Sequence, residues 1–174
     1  MMSKLVVGIL MGSDSDWEVM QEAGKVLGGF DIGFEMLVTS AHRTPERTHD
    51  YTKTAVERGL KVLIVGAGAA AHLAGVVAAS TPLPVIGVPL SATDLKGMDA
   101  LLATVQMPGG IPVACMAIGK AGAKNAAIYA ARILALSDSE LALKLEGYRQ
   151  EMAEAVEKKD RALQLQLKES NFYG

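Results

Sequence analysis

A chain of 174 residues, half of them hydrophobic, is long enough to form one domain with a full core. Net charge is −2 with acids and bases interspersed, which excludes a basic nucleic-acid surface. The single cysteine, Cys115, cannot form an internal disulfide, so a reducing, cytoplasmic setting is expected.

Leu5 to Met11 is a continuous apolar run of buried-strand length. It leads into Gly12-Ser13-Asp14-Ser15-Asp16 with no small-residue cleavage pattern, which argues against a signal peptide. Trp17, Met20, Ala23, Val26 and Leu27 then recur at helical spacing, with Gly28-Gly29 as the expected stop. Ser13 followed by Asp16 has the form of an N-terminal cap. Ile32 to Val38 reads as the second strand and Thr44 to Arg58 as the second helix, closed by Gly59.

Val62 to Val65 is the third strand, opening into Gly66-Ala67-Gly68-Ala69-Ala70-Ala71-His72 and an Ala/Val helix to about Ser80. The 18 residues from Val62 to Ala79 carry no formal charge, but their glycines divide them into strand and helix, so no membrane span is expected. Pro84 to Val88 is the fourth strand, Met98 to Val105 a short helix, and Met107 to Pro112 strong turn chemistry. Val113 to Ile118 reads as the fifth strand, Gly119 to Gly122 as a turn and Ala123 to Leu136 as an Ala-rich helix. Ser137 and Glu140 have capping-box spacing. They open a last helix with Leu141, Leu145, Tyr148, Met152 and Val156 on one stripe.

Five strand–helix alternations predict a parallel sheet with helices on both faces. The strands are near-continuous apolar runs, as burial on both faces requires. The expectation is a three-layer α/β/α sandwich with flavodoxin-like strand order 2-1-3-4-5. It forms a single domain over 1–174, with a core at 4–136 and a helical extension at 137–174. In that order the loops after the first three strands meet at one sheet edge, where such folds bind ligands. Those loops are Gly12 to Asp16, Ser40 to Arg43 and Gly66 to His72.

The second loop, Ser40-Ala41-His42-Arg43-Thr44-Pro45, sets a hydroxyl, an imidazole and a guanidinium on a strand-to-helix turn. Pro45 suits the first helical turn, and free backbone N–H groups there favour an anion. The bland alternative is a loop in which Thr44 caps the helix and His42 is merely exposed. Asp16 can accept two hydrogen bonds from a sugar, and Arg43 can grip a phosphate through two N–H groups. His72 either meets a ligand or caps a helix.

Other chemistries fit less well. Gly66 to Ala71 matches G-x-G-x-x-A formally, but it follows the third strand and lacks the acid that should end the next one. His42, His49 and His72 lack metal-ligand spacing, and no G-x-S-x-G elbow is present. A receiver domain would need acids where the third strand ends in glycine and alanine.

The motifs Met11 to Trp17, Ser40 to Pro45, Gly66 to Leu73, Gly87-Val88-Pro89, Val105 to Pro112, Ala117-Ile118-Gly119 and Asn125 to Ala127 resemble, in this order, the N5-carboxyaminoimidazole ribonucleotide mutase family of purine biosynthesis. The resemblance implies an enzyme without metal or organic cofactor. It moves a carboxylate from the exocyclic nitrogen of an aminoimidazole ribonucleotide to ring carbon 4. By the same resemblance His42 is the catalytic acid/base. Ser13, Asp16 and Arg43 hold the ribose 5-phosphate, with Ser15, Ser40 and Ala41 beside them. Ala67, Gly68, His72 and Leu73 line the imidazole and carboxylate end.

The family also implies a homo-octamer in which the last helix reaches a neighbouring subunit, and functional coupling to the ATP-dependent carboxyaminoimidazole ribonucleotide synthase. The alternative for the stripe on that helix is packing within its own domain. Ala69 and Ala74 stand where the family has glycine and proline, and Ala100 where serine is common. Two rival functions are a carboxylase using free CO2 and a non-catalytic nucleotide-phosphate sensor.

Overall fold

The computed structural model describes residues 4–170 and residue 172. Five parallel strands form one sheet in the order β2-β1-β3-β4-β5. They are β1 (Leu5–Met11), β2 (Gly33–Val38), β3 (Val62–Gly68), β4 (Val85–Leu90) and β5 (Ala114–Cys115). The helices are α1 (Trp17–Gly29), α2 (Pro45–Thr54), α3 (Leu73–Ala78), α4 (Met98–Val105), α5 (Lys120–Ala135) and α6 (Ser139–Glu169). The strand order expected from the alternation is the one observed.

Strand parity explains the two helical layers. Leu63, Val65 and Ala67 of β3 join Leu10, Leu73 and Val77 in one buried cluster, on the side that carries α2 and α3. The even residues of β3 face the other way. A Cβ on Gly66 would collide with the Met20 side chain, so α1 lies against that opposite face. Helix α5 runs beside α1, with Lys120 Nζ 2.8 Å from Glu18 and Lys124 Nζ 3.3 Å from Glu22. Ala123, Ala126, Ala127, Ala130 and Ala131 give α5 a fully buried face of small residues.

Several boundaries differ from the sequence expectation. Strand β3 runs three residues past Val65, because Ala67 and Gly68 pair with Pro89 and Leu90 of β4. The glycines there serve close packing: a Cβ on Gly68 would sit 2.6 Å from that of Ala92. Strand β5 is only two residues long, although Met116 N–H still bonds Gly87 O at 2.9 Å and Gly119 N–H bonds Pro89 O at 2.9 Å. Helix α2 stops at Thr54, with turns continuing to Gly59 at φ +88°. Helix α5 begins at Lys120, three residues before its expected start, with Gly122 inside it against the Ala117 carbonyl. The cap of α6 is Asp138, which accepts the Leu141 N–H at 3.0 Å, rather than Ser137.

The chain divides into two compact units, one up to Leu134 and one from Ala135 onward. The second is dominated by α6, on which Leu143, Met152, Val156, Leu163 and Leu165 are exposed. No helix among the described residues is long and apolar enough to cross a membrane.

Candidate active site

The carboxyl ends of β1, β2 and β3 bring their three loops to one edge of the sheet. The first loop is a 3-10 turn at Asp14–Asp16 closed by a reciprocal capping box. Ser13 Oγ accepts the Ser15 N–H at 3.3 Å, and Asp16 Oδ2 accepts the Ser13 N–H at 3.0 Å. Ser15 Oγ donates to Ser13 Oγ at 2.9 Å. Burial pushes the Asp16 carboxyl above its ordinary range, and the N–H groups of Ser13 and Gly12 partly oppose that rise.

The second loop, Ser40 to Thr44, is fastened to itself. Arg43 N–H donates to Ser40 Oγ at 3.2 Å, and Thr44 N–H to Ser40 O at 2.9 Å. Thr44 occupies the N-cap position of α2, but its hydroxyl makes no capping bond to that helix. The Arg43 guanidinium reaches across to the first loop, with Nη2 3.5 Å from Gly12 O.

The third loop places His72 opposite His42. Their rings meet edge to face with centroids 5.0 Å apart, and His42 Nε2 lies 2.9 Å from His72 Nδ1. Both residues are exposed at the rim of the sheet edge. His72 stands at the N-cap of α3 without a side-chain capping bond, so of the two readings of this residue the capping one fails.

A cleft of about 460 Å³ lies between the loops. Of the sequence candidates, Ser13, Ser15, Asp16, Ser40, Ala41, His42, Arg43, Ala67, Gly68 and Leu73 line it. His72 is not in the lining and joins the group through His42. Gly12, Ala69 and Ala70 of the expected loops also line it, and Ala92 is the one further lining residue, outside those loops. Ala92 follows β4, the strand beside β3, so the strand order itself held the signal for it. Ala69 is a non-glycine residue with φ +53°, held in a left-handed conformation at the cleft wall.

The cleft lining thus combines hydroxyls, a carboxyl and a guanidinium with small apolar residues, beside two imidazoles in hydrogen-bond contact. No cluster of three or more His, Cys, Asp or Glu side chains among the described residues has the geometry of a metal site.

Comparison with known proteins gives the family. The chain is 53% identical to an N5-carboxyaminoimidazole ribonucleotide mutase of Mycobacterium leprae, over 91% of both chains. It is 58% identical to the protein so named in Pyrococcus abyssi, over 84% of this chain and 83% of that one. For Bacillus subtilis the figures are 54%, 87% and 93%. The crystal structure of Treponema denticola PurE superimposes with a TM-score of 0.82 at 31% identity, covering 91% of this chain and 98% of that one. The family model described as AIR carboxylase matches residues 6–155, and the chain belongs to that family.

Proposed function

We propose that this protein is an N5-carboxyaminoimidazole ribonucleotide mutase, an isomerase of purine biosynthesis, with His42 as its acid/base. The observation that carries the reading is that the His42 imidazole lines the same cleft as Ser13, Asp16 and Arg43. The identity of the curated relatives supports the reaction; the geometry supports the roles.

The isomerisation balances with one proton carrier. The bond between the exocyclic nitrogen and its carboxylate carbon breaks, CO2 departs, and the nitrogen takes a proton from the His42 imidazolium. Carbon 4 then attacks the CO2, and neutral His42 removes the proton that carbon 4 must lose. Imidazole is the side chain that exchanges protons readily around neutral pH, and such a group contributes roughly 100- to 10,000-fold. The small wall of Ala67, Gly68 and Leu73 keeps the freed CO2 beside the ring, a proximity effect.

His72 has a defined part in this scheme. At 2.9 Å one of the facing ring nitrogens donates and the other accepts, so a single proton lies between them. That contact fixes which His42 nitrogen is free to face substrate. Ser13, Ser15, Asp16, Ser40, Ala41 and Arg43 take the ribose 5-phosphate.

The same reading includes a homo-octamer in the cytoplasm, with the exposed apolar residues of α6 covered by a neighbouring subunit. It also includes functional coupling to the synthase that makes the labile carbamate. A purine synthesis protein of Dictyostelium discoideum, named bifunctional purC/E, is 54% identical over 87% of this chain, which spans 15% of that protein. Fusion of this kind supports coupling between neighbouring steps.

The description of the matching family favours one rival, a carboxylase that takes free CO2. Turnover of the N-carboxylated ribonucleotide, set against turnover of aminoimidazole ribonucleotide with bicarbonate, decides between them. A mutase turns over the first faster. Faster turnover of the second would make the protein a carboxylase, and turnover of neither would leave a binding protein.

A further inference from the structure

The loop that carries Ser40, His42 and Arg43 is held by a relay of threonine hydroxyls that reaches into the core. Thr44 Oγ1 accepts the Ser40 N–H at 2.9 Å and donates to Ser40 O at 3.1 Å. Thr48 Oγ1 donates to Thr44 O at 3.1 Å. With those two protons committed, the contact of 2.7 Å between Thr39 and Thr48 takes its proton from Thr39. Each hydroxyl then donates once: Thr39 to the Thr48 hydroxyl, Thr48 to the Thr44 carbonyl and Thr44 to the Ser40 carbonyl.

The far end of this relay is immobile. Thr39 is 2% exposed and Thr48 is fully buried, and the Thr39 N–H is tied to Met11 O at 2.9 Å, next to the first loop. Thr39 Oγ1 also lies 3.3 Å from Thr44 Oγ1. The near end, Thr44, does not line the cleft. Its hydroxyl is spent on both backbone groups of Ser40, at the start of the turn that aims His42.

We infer that Thr44, backed by Thr39 and Thr48, is a positioning residue that sets the Ser40–Arg43 loop for turnover through hydroxyl bonds to Ser40. This deepens the reading given under Proposed function by naming what holds its loop. It does not depend on which proton His42 carries. The reason to expect a large effect is geometric: displacement of reacting groups by about 1 Å costs roughly 100-fold in rate.

Thr44→Val keeps the branched shape and removes the hydroxyl, whereas Thr44→Ser keeps the hydroxyl. Thr104→Val is the control, because Thr104 is 2% exposed and bonds Ala100 O at 2.7 Å in α4, away from this loop. Steady-state kcat and KM on the N-carboxylated ribonucleotide are measured for all three, with thermal unfolding alongside. Thr44→Val should lose about 10- to 100-fold in kcat, more than it changes KM. Thr44→Ser should stay within about threefold, and Thr104→Val should lose stability without losing kcat.

Equal kcat for Thr44→Val and wild type overturns the proposal. So does a rise in KM alone, which would make Thr44 a substrate contact, or a serine variant as slow as the valine one. His42→Asn run in parallel tests the acid/base reading separately. If His42→Asn is active while Thr44→Val is slow and Thr44→Ser restores it, the acid/base reading falls and the positioning role stands.

Discussion

Ala69 stores backbone strain at the wall of the cleft, and replacing it with glycine should release that strain. At φ +53° its Cβ crowds the following carbonyl, which costs a non-glycine residue about 1–2 kcal/mol. Glycine removes that crowding but gives the unfolded chain more freedom, which offsets about 0.4–1 kcal/mol. The balance for Ala69→Gly is a stabilisation centred on about 0.8 kcal/mol. For a chain of this size that is a rise in Tm of about 2–3 °C. Ala70→Gly, one residue on and without a positive φ, should shift stability the other way by about 0.5–1 kcal/mol. Thermal melts and urea titrations of the two variants against wild type give both signs. A lower Tm for Ala69→Gly, or equal shifts for the pair, would refute the assignment of strain to residue 69.

Two further substitutions test the electrostatics. Asp16→Asn should leave folding unchanged or strengthen it by up to about 1 kcal/mol at pH 7. Burial raises the folded-state pKa of Asp16 above 3.8, so its contribution to stability falls as pH rises through that window. The same variant should raise KM about tenfold if the carboxylate accepts sugar hydroxyls; a strong loss of stability with unchanged KM would contradict both points. Glu35 is different. Burial would raise it, but hydrogen bonds from Arg58 and from Tyr51, at 2.8 Å, outweigh that and hold its carboxyl below the ordinary range. Its stabilisation is therefore present above the unfolded value of 4.5 and fades as pH falls through the lower folded value. Glu35→Gln should cost about 1 kcal/mol at pH 7, allowing for solvent screening, and little at about pH 3. Urea titrations showing the same deficit at both pH values would count against the Arg58–Glu35–Tyr51 cluster as its source.

The sheet was readable because apolar runs report burial, and a parallel strand is buried on both sides. The same signal misjudges pairing. Val113 to Ile118 is apolar throughout, yet only Ala114 and Cys115 form the ladder; beyond them the Met116 and Gly119 N–H groups still bond β4. Gly66 and Gly68 suggested a turn, but they are glycines for want of space beside Met20 and Ala92, not for a special φ. Sequence placed the first two loops correctly because their polar residues stand out against apolar strands, and the third only from Ala69 onward. Ala92 carries no such mark, and only the strand order brings it to the cleft. The alternative in which Thr44 caps the second helix fails as well. Capping chemistry looks forward into the helix, whereas its hydroxyl looks back to Ser40. Which residues share a hydroxyl relay is a matter of side-chain direction, which spacing does not encode.

The central claim is that the imidazole on the second loop moves the protons of the reaction. Turnover of the N-carboxylated ribonucleotide by His42→Asn, with its fold checked by circular dichroism and thermal melting, tests that claim most directly. A folded variant slowed by at least about 100-fold is the predicted result. A folded variant working at close to the wild-type rate would contradict the account.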